Sequence, residues 1–190
     1  AAFGERFLYG WEYVMLAPDV TAQEPVPYTE RANGPIVFCA GGSDPTGALE
    51  QMYAWTEALD VSTQMLFCFG AHSHGALRQR YEVAGGESLC TSGNRYIMPF
   101  HRDYLRKAAM IVCMFGVTPY ESLWYETPNL MLAHTDENAI GARLLTLASH
   151  GAALYIGSTV QSHQDATTSA AFQNNVLYAF NISHYQMHRT

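Results

Sequence analysis

Charge is scarce in this chain, and basic charge scarcest: 14% of the 190 residues are charged, with 10 Lys or Arg against 17 Asp or Glu and a formal net charge of -7. So few cations gain little from counterion release at a phosphate backbone, which argues against broad nucleic-acid binding. One local phosphate site stays open, because helix N-termini and glycine-bearing turns hold anions through backbone amides. No run of about 18 apolar residues occurs, so no membrane span is expected. None of the four cysteines, Cys39, Cys68, Cys90 and Cys113, stands in a CxxC pair or zinc-type cluster. Three lie inside the apolar runs IVFCA, MLFCF and MIVCMF and read as buried free thiols, small hydrophobes in effect. That usage suits a reducing cytoplasm, the expected location. The eight histidines show no HExxH or comparable spacing, so neither a metal site nor a metal cofactor is expected. A GxSxG elbow is also missing, which disfavours a serine hydrolase triad. No signal peptide is visible. The chain opens Ala1-Ala2-Phe3 without Met, so a processed product or a piece of something longer is expected.

What is present is a core: 48% of residues are hydrophobic, enough for one packed domain and too many for a disordered chain. Residues 1–20 are apolar but broken by Gly10 and Pro18, and TAQEPVPYTERANG after them reads as an extended linker. A regular alternation then begins. Short apolar runs at 35–40, 64–70, 95–98, 109–115, 129–133 and 154–157 have the length and composition of buried strands. Between them, helices are predicted at 46–59, 74–83, 102–108, 119–126 and 137–151, with a terminal helix at 166–183. Strands alternating with helices imply an α/β fold, a Rossmann-like parallel sheet with helices on both faces. The expected organisation is an N-terminal extension or linker at 1–33, a Rossmann-like domain at 34–160 and a C-terminal helical segment at 161–190.

Open parallel sheets bind ligands at the carboxyl ends of their strands. Three loops there carry chemistry. Gly41-Gly42-Ser43-Asp44-Pro45-Thr46-Gly47 is neither GxGxxG nor a P-loop, which disfavours ATP hydrolysis. Its glycines let a backbone approach a ligand, Asp44 can cap the next helix, and Pro45 suits a first helical position. It reads either as a diphosphate cradle or as a capped turn. Phe115-Gly116-Val117-Thr118-Pro119-Tyr120-Glu121 repeats the pattern, with Thr118 as a candidate cap and Glu121 able to accept from a ribose diol or simply to favour the helix start. His134-Thr135-Asp136-Glu137-Asn138 opens the longest helix, with Thr135 or Asp136 as cap and Asn138 as an amide within reach of a sugar or phosphate.

The order of these loops resembles the C-terminal half of GT-B-type nucleotide-sugar enzymes. The matching stretches are residues 4–20, IVFCAGGSDPTGALEQMYAW at 36–55, and 100–157. The nearest resemblance is to the UDP-sugar hydrolases of the pseudaminic acid pathway and related spore-coat polysaccharide biosynthesis proteins. The UDP-GlcNAc transferase of peptidoglycan synthesis is a more distant likeness. The resemblance implies a UDP-sugar-binding domain of a hydrolase or glycosyltransferase in bacterial surface-glycan biosynthesis, with the UDP-sugar as substrate and no further cofactor. It places Gly41, Gly42, Ser43 and Asp44 beside the diphosphate. Phe100 and His101 fall at the uracil, Gly116 and Thr118 near the phosphates, Glu121 on the ribose, and Asn138 on the donor sugar. Two positions depart from the family pattern: Ala17 replaces its usual Arg, and Asn138, after Glu137, its usual Gln. In that family the N-terminal half supplies the general base. No comparable half precedes residue 36, so a missing domain or partner subunit is implied and the catalytic residues stay unassigned. The alternative is a non-catalytic nucleotide-sugar-binding or interaction module.

Overall fold

A computed structural model describes residues 13–57, 59 and 62–158 of the chain. The alternation read from the sequence forms a seven-stranded sheet in the order β3-β4-β2-β1-β5-β6-β7. The strands are β1 (Ile36–Cys39), β2 (Met65–Phe69), β3 (Leu89–Ser92), β4 (Arg95–Pro99), β5 (Met110–Met114), β6 (Asn129–Ala133) and β7 (Ala153–Ser158). Every pairing is parallel except the β3–β4 hairpin at one edge. The helices are α1 (Pro18–Thr21), α2 (Tyr28–Arg31), α3 (Ala48–Trp55), α4 (Ala76–Val83), α5 (Asp103–Lys107), α6 (Thr118–Trp124) and α7 (Asp136–Ala148).

The central strands β1, β2, β5 and β6 are buried at every position. That is why their sequences are apolar throughout instead of alternating. On one face Ile36, Phe38, Met65, Phe67, Met110 and Val112 pack under Leu49, Met52 and Tyr53 of α3 and Leu77 of α4. The Phe38 and Phe67 rings stack at 4.6 Å, an arrangement that contributes about 0.5–1.5 kcal/mol beyond area burial. On the other face Val37, Leu66 and Ile111 meet Val20 of α1 and Leu105 of α5. Further along that face, Met131 and Ala153 meet Ala142 and Leu145 of α7. Cys39 is in register with both Cys68 and Cys113, so the three buried thiols form one lateral row. A hydrogen bond to Cys39 together with burial pushes the Cys113 thiol well up, and burial does the same for Cys68, so these two serve as packing groups. Cys90, by contrast, is exposed.

From β1 the chain moves outward through β2 to β4, returns under α5 to β5 on the opposite side of β1, and continues to β6 and β7. Strand order therefore reverses between β1 and β5, the place where open α/β sheets open a crevice.

Two expectations are corrected. The stretch read as an extended linker begins on the last residue of α1 and holds the helical turn α2, whose Arg31 is buried. Its guanidinium donates to Thr127 Oγ1 at 2.8 Å and to the Ala108 carbonyl, a long-range tie that local prolines do not reveal. β3 was not foreseen, because LCTS lacks a marked apolar run and gains its ladder only by pairing back on β4. The terminal helix expected at 166–183, the segment 161–190 and most of the first matching stretch lie outside the described residues. No helix among the described residues is long and apolar enough to cross a membrane.

Candidate functional site

The turn after β1 is built from unusual backbone. Gly41, Asp44 and Gly47 all take positive φ, at 86°, 45° and 64°. For Asp44 that conformation is strained, and such strain persists only where the surroundings over-determine it. Here they do. Both Asp44 carboxylate oxygens accept from the start of α3, from Ala48 N–H at 2.7 Å and Leu49 N–H at 3.0 Å. Asp44 is thus the cap, but from four residues upstream, and α3 begins at Ala48 after Gly47. Pro45 lies in the turn rather than at the first helical position. The two α3 donors are consequently occupied by the protein's own carboxylate. Among the amides still available are those of Gly41 and Gly42, whose N–H groups meet no acceptor among the described residues.

The exit of β2 braces this turn. A Cβ on Gly70 would collide with the carbonyl oxygens of Gly41 and Gly42, and His72 N–H donates to Gly42 O at 2.8 Å. On the other side, His134 leaves the end of β6, and its Nδ1 lies 2.8 Å from Thr46 Oγ1. Burial lowers the basicity of the His134 imidazole, while the Asp44 carboxylate and the Ala40 carbonyl pull the other way.

The turn after β5 is held differently. Phe115 N–H donates to Leu132 O at 2.7 Å, and the Phe115 ring packs against Gly141 of α7, where a Cβ would come within 2.5 Å of it. Val117, not Thr118, is the N-cap of α6, and no side chain caps it; Thr118 and Pro119 are the first two helical residues. Thr118 is therefore free of the capping role expected of it, because α6 starts one residue earlier than the Thr-Pro pair suggests. Glu121 is 5% exposed, and its Oε1 sits 3.3 Å from Arg102 Nε. Burial raises the Glu121 carboxyl above its ordinary range, and Arg102 pulls it back down. Arg102 in turn pairs with Asp19 of α1.

Between the two turns lies a cleft of about 280 Å³, lined by Cys39, Gly41, Gly42, Gly70, Ala71, Phe100 and Thr118. A second hollow of about 320 Å³ shares Gly70, Ala71 and Phe100 and adds Phe69, Arg78, Tyr81, Glu82 and Pro99. Its wall is aromatic, with Phe69 and Tyr81 edge to face at 5.1 Å and the Arg78 guanidinium over Phe69.

Of the residues singled out in the sequence, Gly41, Gly42, Phe100 and Thr118 meet at this cleft. Ser43 is exposed on the same turn, and Gly116 opens the facing one with no atom within 4 Å of an added Cβ. Asp44 is committed to α3. Phe100 presents its ring, since its N–H is committed to Phe69 O at 2.9 Å. His101 is exposed, and its Nδ1 accepts from Asp103 N–H. Glu121 lies one helical turn behind Thr118, paired with Arg102. Asn138 sits in the first turn of α7, where Thr135 Oγ1 caps its backbone N–H at 3.2 Å; it does not line the cleft. Sequence reasoning missed Gly70 and Ala71 of the loop after β2. It also missed Cys39, His134 and Arg102, for which no local signal exists. Among the described residues no three His, Cys, Asp or Glu side chains converge as a metal-ligand group.

No protein-family model, curated protein or solved structure matches this chain. The fold is a doubly wound, Rossmann-like α/β domain with an open cleft at its topological switch point.

Proposed function

We propose that this chain is a UDP-sugar-binding domain of a nucleotide-sugar hydrolase or glycosyltransferase of bacterial surface-glycan biosynthesis. The observation that carries the reading is a glycine without a protein reason. Gly42 has no positive φ, and an added Cβ there would meet nothing within 4 Å, yet it lines the cleft; Gly116 on the facing turn is alike in its freedom. Glycine at such places serves close approach by something other than the protein. With α3 capped by Asp44, the diphosphate falls to the Gly41 and Gly42 amides and the Thr118 hydroxyl. The nucleoside extends into the aromatic hollow beside Phe100. A pocket near 300 Å³ is the lower end of the ~300–1,000 Å³ typical of small-molecule sites, and the joined hollow enlarges it.

In the reaction, water or an acceptor hydroxyl attacks at the sugar–phosphate linkage, and the amide-lined turn stabilises the departing UDP without a metal. Among the described residues no His, Asp, Glu or Lys side chain lines the β1–β5 cleft. The general base therefore comes from outside this cleft, or the chain binds without turnover. That same lining favours the second reading, a non-catalytic nucleotide-sugar-binding module. Isothermal titration of the chain with UDP tests both: saturable heat is expected, and none at millimolar UDP overturns them. Release of UDP from a UDP-sugar by the chain alone separates enzyme from module.

A further inference from the structure

Besides the His72 N–H bond to Gly42 O, two side-chain clamps bear on the turn at 41–47. One is local, the Asp44 carboxylate on α3. The other is not: His134 follows β6, two strands away from β1, and reaches back across the end of β5 to Thr46, 88 residues earlier in the chain. The contact joins the loop after β6 to the turn that lines the cleft and is part-buried, and the same imidazole also meets the Ala40 carbonyl. A turn with three positive-φ residues in seven has many looser alternatives, so a tether far from its hinge points changes how often its amides stand in the cleft-lining arrangement.

We propose that His134 is a positioning residue that, through Thr46, fixes the Gly41–Gly42 turn in the arrangement that receives the anionic part of the ligand; the anion itself rests on the nucleotide-sugar reading. His134 does not line the cleft, so it acts through Thr46 rather than by touching the ligand. A hydrogen bond between two neutral side chains is the operative link, with Nδ1 and the hydroxyl sharing one proton between acceptor and donor.

The test uses the full chain as wild type, His134→Ala, His134→Asn, Thr46→Val and the double variant His134→Ala/Thr46→Val. Amide hydrogen exchange over residues 41–49 is read first, without ligand. Faster exchange there in His134→Ala and Thr46→Val, with the β2 and β5 amides unchanged, is expected; unaltered exchange at 41–49 overturns the proposal whether or not UDP binds. Titrations with UDP and with uridine follow. UDP affinity is expected to fall about tenfold in each single variant, no further in the double, and to recover in His134→Asn, while uridine affinity is unmoved. Additive losses, or equal losses for uridine, overturn the assignment. Failure of wild type to bind UDP sinks the nucleotide-sugar reading alone, because the exchange data judge the clamp separately.

Discussion

Gly42 and Gly70 face one another across the carboxyl ends of β1 and β2, and they are glycines for opposite reasons. Gly70 has no room: any side chain would strike the Gly41 and Gly42 carbonyl oxygens. Gly42 has room to spare, with no atom near an added Cβ and no positive φ to demand glycine. The first glycine closes protein against protein. The second leaves a gap that the protein does not fill. Together they separate the part of this crevice that is architecture from the part that is site.

Four perturbations break or sharpen that contrast. The largest effect is expected at Gly70→Ala, where overpacking against backbone costs about 3 kcal/mol; chemical denaturation reads it, and a loss below roughly 1 kcal/mol would mean that the two turns separate easily. Next comes Asp44→Ala, which removes both hydrogen bonds to α3 and leaves an alanine at positive φ, for a loss of about 2 kcal/mol. Asp44→Gly should lose less, since glycine relieves the strain while still deleting the cap; equal losses in the two variants would argue against strain at this residue. Third, Gly42→Ala should leave the denaturation midpoint within error of wild type and weaken UDP about tenfold, equivalent to ~1.4 kcal/mol. Unchanged UDP affinity there would place the ligand elsewhere. The smallest effect is a pH dependence. Burial holds the His134 imidazole below its ordinary basicity, so as the pH falls the unfolded chain takes up this proton before the folded one does. Its contribution to stability is complete above about pH 6.5 and declines below it. Thermal melts from pH 7.5 to 5 should show a shallower decline in His134→Asn than in wild type, and parallel curves would refute the sign.

The candidate site was only partly legible beforehand. Gly41, Gly42 and Thr118 could be marked because strand-ending glycines and a Thr-Pro helix start are local signals, readable within a few residues, whereas Phe100 was marked only through the family resemblance. Asp44 was readable as a cap, but not that it would use up the α3 donors, since that depends on where α3 begins. Arg102, Gly70 and His134 matter through contacts with segments about 19, 28 and 88 residues away in the chain: Glu121, the Gly41–Gly42 turn and Thr46. Nothing in their own neighbourhoods announces those partners. Arg31 is the same case in the fold, set in what reads as a proline-bearing linker yet buried against Thr127.

Apolar runs alternating with helical periodicity already dictate a parallel sheet covered on both faces, because strands buried on both sides must be apolar throughout. Strand order is not written in that pattern; it emerges in the folded chain, and with it the turns after β1 and β5 become neighbours although about 75 residues separate them. Hydrophobic patterning specifies which face of an element is buried. Which elements lie side by side is settled by packing between distant segments, and the cleft belongs to that second level.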